Sequence, residues 1–150
     1  MAIEFARHVL NLSDANSTEF DPDTKNPVIS LLSEQKDLQE MGGTMRLGNY
    51  NCLLSKNSNA FKAYKKEVIG ERHRHRYEYN NKYLKAMEEK GFMRTGTLEE
   101  GSLCEIAEIK DHPWMVGVQF HPEFKSKPTE AHPLFRDFIQ AMVAHKEKHG

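Results

Sequence analysis

The segment Val116–Phe124 constrains this chain more than any other stretch of its sequence. Its first half alternates apolar residues with glycine and glutamine, which predicts a β-strand that carries His121 to its end. Pro122 fixes its own backbone and restricts the residue before it, so local geometry sets the direction of His121. Glu123 lies within reach of the imidazole and would orient it and stabilise its charged form. A strand-terminal histidine beside a solvated glutamate fits the same spacing.

The composition indicates one domain, residues 1–150, with a thin hydrophobic core. Apolar residues make up 38% and charged residues 29%, against about 45–50% and about 25% in typical domains. The net charge of −1 gives no general attraction to nucleic acid or to an anionic membrane. No apolar run reaches the ~18 residues that a membrane span needs. Cys52 and Cys104 lack metal-ligand spacing, so we expect a reduced, cytoplasmic protein.

Local patterns predict an α/β chain in which helices alternate with strands. The predicted helices are Ala2–Leu12, Asn59–Lys66, Asn81–Lys90 and Pro133–Lys148. The predicted extended segments are Val28–Leu32, a hairpin or strand pair over Gly42–Leu54, Glu67–Tyr79, and two strands within Phe92–Ile109 around a turn at Glu99–Gly101. Asp14–Pro27 is predicted to be a polar loop and Ser33–Glu40 an exposed charged segment.

The C-terminal helix is amphipathic and should need a sheet to cover its apolar face. The side chains predicted to point inward are Leu134, Phe135, Phe138, Ile139, Met142 and Val143. Few strands read as continuous apolar runs, so part of this face should stay in water. We therefore expect the isolated chain to be marginally stable or self-associating.

The basic run Arg72–Glu78 alternates arginines with histidines. On a strand its arginines would share one face, and His73, His75 and Tyr77 would share the other. A nucleic-acid footprint is disfavoured in a chain with almost no net charge, and a zinc site built from His73, His75 and His121 would lack a fourth ligand. A site that binds a carboxylate through guanidinium groups and a simple solvated strand are both compatible with the run.

A turn rich in Asn, Ser and Thr at Asn16–Phe20 places Glu19 beside an aromatic residue. Alone it would be an ordinary loop. Paired with an arginine across a pocket, Glu19 would suit an amino-acid ligand, because a carboxylate binds the ammonium group and a guanidinium binds the carboxylate.

Four motifs occur in order along the chain: Asp14–Pro22, Gly42–Gly48, Glu71–Asn81, and Asp111–Trp114 leading to Gln119–Phe124. Together they resemble the C-terminal class I glutamine amidotransferase domain of the CTP synthase family. The resemblance covers essentially the whole chain. The His-Pro-Glu motif alone would indicate only the amidotransferase superfamily, whereas the Arg-His-Arg-His-Arg-Tyr-Glu run narrows it to this family.

The resemblance implies a fold and a set of roles. The fold is the C-terminal part of a Rossmann-like α/β amidotransferase domain, with a small antiparallel patch around Gly43–Leu54. His121 matches the family's general base and Glu123 the group that orients it. Glu19 and Arg76 match the residues that hold L-glutamine, whose amide nitrogen leaves as ammonia. The parent reaction is the ATP-dependent amination of UTP to CTP. The resemblance implies no metal or cofactor in this segment, because ATP and Mg belong to the family's synthetase domain. That domain is the expected partner of this chain. The chain could also form oligomers.

The family's nucleophile lies on a turn of the form Gly-x-Cys-x-Gly-Met-Gln, just before the helix that corresponds to Ala2–Leu12. Neither Cys52 nor Cys104 has this context. We therefore expect a fragment that does not hydrolyse glutamine by itself. A catalytically dead glutamine-binding or regulatory module that docks to an intact synthase is the alternative. A relative of γ-glutamyl hydrolase is disfavoured by the basic run.

Overall fold

The structure is a computed structural model that describes residues 1–31, 45–98, 101 and 103–150. The helices in these ranges are α1 (Ala2–His8), α2 (Asn59–Tyr64), α3 (Leu84–Glu88) and α4 (Pro133–His149). The strands are β1 (Ala15–Ser17), β2 (Asn26–Ser30), β3 (Arg46–Leu54), β4 (Val68–His75), β5 (Glu78–Tyr79), β6 (Phe92–Leu98), β7 (Cys104–Ile109) and β8 (Val116–Val118). Short 3₁₀ turns lie at Asn81–Tyr83 and Pro122–Phe124.

The strands form two sheets. The smaller sheet has the order β1-β2-β5, in which β1 and β2 are parallel and β5 is antiparallel to β2. The larger sheet has the order β4-β3-β6-β7-β8 and is antiparallel throughout. The chain passes from β4 in the larger sheet to β5 in the smaller one through Arg76 and Tyr77. That short connection therefore joins the two sheets.

Two hydrophobic clusters support these sheets. Met87, Phe92 and Val28 belong to one, beneath α1 and the smaller sheet. Cys52, Ile106 and Phe120 are among the buried residues of the other, beneath α2 and the larger sheet. Strand β6 passes close to its neighbours at Gly96, where an added Cβ would lie 2.6 Å from Ile106 Cγ1. Glycine is therefore needed there for the strands to pack.

The predicted α/β class is confirmed, and the antiparallel part is larger than predicted. Gly42–Leu54 was expected to form a hairpin or strand pair, but its described part is one strand, β3, paired along its length with β4. Gly48 adopts a positive φ of 112° inside this strand rather than at a turn. The remaining glycines of that motif, the segment Ser33–Glu40 and residues 99 and 100 of the predicted turn lie outside the described residues.

Three predicted boundaries were wrong. The first helix ends at His8 instead of Leu12, because Asn11 takes a left-handed conformation with φ 57°. The predicted loop Asp14–Pro27 contains β1 and the start of β2. Strand β8 ends at Val118, three residues before His121, since the chain there leaves β7 and turns toward β4.

The prediction for the C-terminal helix was also wrong in its packing. Among the six apolar residues expected to point inward, Leu134 is buried. The other five are between 41% and 55% exposed. The described sheets cover only the beginning of α4, where Arg136 donates a hydrogen bond to the carbonyl of Ala63 in α2. The uncovered face agrees with the expectation that some of this apolar surface lies in water.

Candidate functional site

His121 and Glu123 form a close pair on the segment that follows β8. His121 Nδ1 lies 2.7 Å from Glu123 Oε1, so Nδ1 carries a proton and Nε2 remains for a ligand. The pKa of Glu123 is held below its usual value by a backbone hydrogen bond and by the bond from His121. A carboxylate that stays ionised keeps the imidazole in one tautomer. This geometry is the one the sequence predicted for the pair.

The backbone around His121 is fixed by β4. The His121 N–H donates to the carbonyl of Arg72 at 2.9 Å. The Phe124 ring stacks on the imidazole, with ring centroids 4.9 Å apart and planes 23° from parallel. The imidazole remains 38% exposed. His121 is therefore held against the edge strand while one side of its ring stays open.

Glu19 and Arg76 line the same cavity, of about 350 Å³. The other residues around it are Met45, Arg74, His75 and Tyr77. Glu19 and Arg76 are both exposed, and no described residue forms a salt bridge with either. A carboxylate and a guanidinium on one small cavity are complementary to an ammonium and a carboxylate on one ligand. The two side chains that sequence reasoning paired are thus brought together.

The His121 segment does not line this cavity, but Phe124 of that segment lines a neighbouring one. A neighbouring cavity of about 510 Å³ shares Met45 and Arg74 with the first and is also lined by Phe124. Phe124 is the ring that stacks on His121. The two cavities therefore share part of their lining, and the ring that lines the second one stacks on His121.

A buried group of charged residues lies behind the basic run. Arg46 Nη1 contacts Glu78 Oε1 at 3.0 Å and Glu105 Oε1 at 2.8 Å. Gln119 Nε2 donates to Glu78 Oε2 at 2.9 Å. The predicted alternation is confirmed over Arg72–His75, where the arginines are exposed and His73 is buried, but Arg76 lies beyond the strand. The histidine face of the run therefore points at buried carboxylates.

Sequence reasoning missed Arg46, Glu78, Glu105 and Gln119. One signal could have found Glu105: with Glu108 it is a carboxylate in the otherwise apolar strand β7, where a charge must have a partner. The two glutamates are 1% and 5% exposed. Glu108 accepts hydrogen bonds from the N–H groups of Asn59 and Ala60 at the start of α2, and from the Thr95 hydroxyl.

Neither cysteine is suited to act as a nucleophile. Cys52 in β3 and Cys104 in β7 are both buried free thiols. Burial raises the pKa of Cys52 far above its usual value and that of Cys104 to about 12. A thiol that stays protonated and inaccessible is unreactive.

No group of three or more His, Cys, Asp and Glu side chains in residues 1–31, 45–98, 101 and 103–150 is arranged to hold a metal ion. No helix within the described part of the chain is long and apolar enough to cross a membrane.

Comparison with known proteins identifies relatives along nearly the whole chain. Residues 1–141 match the family described as Glutamine amidotransferase class-I. The CTP synthase of Protochlamydia amoebophila is 68% identical over 151 aligned positions, covering 100% of this chain and 28% of that protein. The CTP synthase of Clostridium acetobutylicum is 60% identical, covering 97% of this chain and 27% of that protein. The chain thus spans little more than a quarter of these relatives.

A solved structure has the same fold. The glutaminase domain of the Trypanosoma brucei CTP synthase, with bound acivicin, superposes with a TM-score of 0.88 at 32% sequence identity. The match covers 95% of this chain and 56% of that domain.

Proposed function

The chain belongs to the class I glutamine amidotransferase family and corresponds to part of the glutaminase domain of CTP synthase, and we propose that it binds L-glutamine between Glu19 and Arg76 and positions His121 as the base for amide hydrolysis. The observation that carries this proposal is the shared cavity of Glu19 and Arg76, which has lining residues in common with a second cavity lined by Phe124, the ring that stacks on His121. Glu19 would accept from the α-ammonium group, and Arg76 would bind the α-carboxylate.

The His121–Glu123 pair would supply proton transfer. With its Nδ1 proton directed at Glu123, His121 offers the Nε2 lone pair to a thiol nucleophile and returns the proton to the leaving ammonia. Such a base typically contributes about 10²–10⁴-fold to a rate. In the relatives named CTP synthase the ammonia would aminate UTP in an ATP-dependent step on the synthetase domain. ATP and Mg would bind to that domain.

The nucleophile would come from outside these 150 residues, because the two thiols of the chain are buried and protonated. The chain by itself should therefore release no ammonia from glutamine. Ammonia release that is lost on Cys52→Ser or Cys104→Ser would contradict this assignment.

Binding can be tested on the chain directly by titration calorimetry with L-glutamine. Arg76→Gln and Glu19→Gln should each weaken binding by about tenfold or more, because each removes one charge-assisted contact of about 1.5–3 kcal/mol. Arg94→Gln is a matched control: this arginine bonds the carbonyl of Gly101, away from the cavity, and its loss should leave binding unchanged. Equal binding by all variants would refute the pocket.

A glutamine-binding module without catalysis is the second candidate, favoured by the burial of both thiols. The two are separated by a chimera in which this chain replaces the matching segment of the Protochlamydia amoebophila CTP synthase. Glutamine-dependent CTP formation by the chimera supports the catalytic role. A chimera that folds and uses ammonia but not glutamine supports the binding module.

A further inference from the structure

Glu78 and Gln119 lie next to the two elements of the proposed site. Glu78 is two residues after Arg76, at the start of β5 in the smaller sheet. Gln119 is two residues before His121, directly after β8 of the larger sheet. Gln119 Nε2 donates to Glu78 Oε2 at 2.9 Å. One hydrogen bond therefore joins the element that presents Arg76 to the element that presents His121.

Both oxygens of the Glu78 carboxylate have a donor. Glu78 is 1% exposed, and its Oε1 accepts from Arg46 Nη1 at 3.0 Å. Burial raises the pKa of Glu78 to about 7, whereas the charge of Arg46 and the bond from Gln119 act in the opposite direction. A buried acceptor that loses its donor is costly, so the two bonds hold this side chain in one position.

The main chain of Gln119 is fixed as well. Its N–H donates to the carbonyl of Glu105 in β7 at 2.9 Å, and the N–H of His121 donates to the carbonyl of Arg72 in β4 at 2.9 Å. The segment therefore passes from β7 to β4 within two residues. The side-chain bond to Glu78 adds a third attachment, to β5.

The connection that carries Arg76 is short and fixed at both ends. His75 ends β4, and its Nδ1 donates to the carbonyl of Tyr77 at 3.1 Å. Glu78 begins β5, where it pairs with Ser30 of β2. Since only two residues lie between β4 and β5, a shift of Glu78 relative to the larger sheet would displace Arg76 directly.

We infer that the hydrogen bond from Gln119 to Glu78 sets the position of Arg76 relative to His121, so that a glutamine held by Arg76 presents its side-chain amide to the base. The link to glutamine rests on the proposed function. Glu78 and Gln119 are positioning residues, because neither lines the cavity of Glu19 and Arg76. Such alignment matters because a displacement of about 1 Å can cost about 10²-fold in rate.

The bond itself can be tested without glutamine by NMR of the side-chain amides in the isotope-labelled full chain. An amide proton of Gln119 that is bonded to a buried carboxylate should exchange with water at least about tenfold more slowly than the amide protons of Gln140, an exposed residue of α4. Equally fast exchange at the two positions would overturn the inference. This result does not depend on where glutamine binds.

Gln119→Met removes the donor and keeps the length of the side chain. In the chimeric synthase its glutamine-dependent kcat should fall by about tenfold while the KM for glutamine changes by less than about threefold. Arg76 would still bind the ligand, but the amide would no longer be aligned with His121. Ammonia-dependent CTP formation should be retained. An unchanged glutamine-dependent kcat, or equal loss of both activities, would overturn the inference.

Arg76→Gln separates an error in the binding site from an error in the positioning role. If glutamine does not bind at Arg76, this variant will leave the KM for glutamine unchanged. If glutamine binds there but the bond from Gln119 to Glu78 plays no part in alignment, Arg76→Gln will raise KM and Gln119→Met will leave kcat unchanged.

Exchanging the two side chains tests the bond rather than the identity of either residue. In the double variant Glu78→Gln with Gln119→Glu, the amide at position 78 donates to the carboxylate at position 119, and its oxygen still accepts from Arg46. The direction of the bond is reversed and the total charge is the same. The double variant should keep the glutamine-dependent kcat within about threefold of that of the unchanged chimera. A kcat as low as that of Gln119→Met would overturn the inference.

Thr95→Val is the matched control for a loss of stability. Like Gln119→Met it removes one donor from a buried carboxylate, because the Thr95 hydroxyl donates to Glu108 at 3.0 Å and Glu108 is 5% exposed. Neither Thr95 nor Glu108 lines the cavity of Glu19 and Arg76. Both variants should lower the Tm of the chain by about 5 °C, whereas Thr95→Val should leave the glutamine-dependent kcat unchanged. Equal losses of kcat would show that destabilisation alone explains the effect and would overturn the inference.

Discussion

Two His–Glu pairs, one at the Pro122–Phe124 turn and one that joins His132 to Glu71 of β4, differ in burial. In the first, His121 and Glu123 are 2.7 Å apart with side chains 38% and 57% exposed. In the second, His132 and Glu71 are 3.2 Å apart and 2% and 3% exposed. The chemistry of the pairs is alike, whereas their access to solvent and ligands is not.

The buried pair has its imidazole fully engaged. His132 Nδ1 accepts from the N–H of Leu134 at the start of α4, so Nε2 carries the proton toward Glu71. The Tyr64 hydroxyl donates to the same carboxylate oxygen at 2.9 Å. These contacts join α2, β4 and α4. Such a His–Glu pair therefore stabilises the fold when it is buried. It can act on a ligand when one ring nitrogen remains accessible.

His121→Ala should give the largest effect on activity and little on stability. In the chimeric synthase, glutamine-dependent CTP formation should fall by about 10²–10⁴-fold because the base is lost, while ammonia-dependent formation is retained. The free energy of unfolding of the chain should change by less than about 0.5 kcal/mol. Equal loss of both activities would mean that His121 has a structural role and would remove the contrast between the pairs.

Glu71→Ala should give the largest loss of stability. It deprives Tyr64 and His132 of a buried acceptor, so urea unfolding should report a loss of about 2–4 kcal/mol. Glu123→Ala serves as the exposed counterpart and should cost less than about 0.5 kcal/mol. Similar losses for the two variants would show that burial does not separate the pairs.

Tyr64→Phe should have an intermediate effect on stability, and it tests one hydrogen bond of the buried pair. It removes one hydrogen bond to Glu71 while keeping the ring, whose edge packs against His132 with centroids 5.5 Å apart. We expect a loss of about 1 kcal/mol in the free energy of unfolding. Tyr50→Phe, on a half-buried position of β3, keeps the ring against Arg46 and His73, so it is the control and should be neutral.

The smallest effect should be the acid dependence of the exposed pair. The folded pKa of Glu123 is lowered, so its contribution is present above its ordinary pKa of 4.5 and is lost as the pH falls through the folded value. Glu123→Gln should therefore narrow, by a few tenths of a kcal/mol, the stability difference between about pH 7 and about pH 3. An unchanged difference would show that the pair contributes nothing to folding.

Sequence reasoning found the exposed pair because its members are two positions apart, with a proline between them that sets the geometry. It could not find the buried pair, whose members are separated by 61 positions. The alternation of the basic run predicted which side chains of β4 are buried. The residues that these buried side chains contact depend on which strands are neighbours in the sheet. Local periodicity does not predict that pairing.

The same limit explains α4. Its pattern predicted an amphipathic helix correctly, but a pattern shows only that a face is apolar and not which element covers it. The described sheets cover Leu134 and leave Phe138 and Met142 exposed. Arg76 and Glu19 were paired by the chemistry of a zwitterionic ligand together with the family resemblance, and their common cavity follows from the joining of the two sheets.

That joining has a mechanical consequence. Glu19 follows β1 of the smaller sheet, and Arg76 follows β4 at the edge of the larger one. A ligand that bridges the two side chains therefore links the smaller sheet to the larger one. Its binding free energy adds to the work needed to part them. Amide hydrogen exchange in β1 and β4 should slow together when the ligand is bound, although no backbone hydrogen bond joins these two strands.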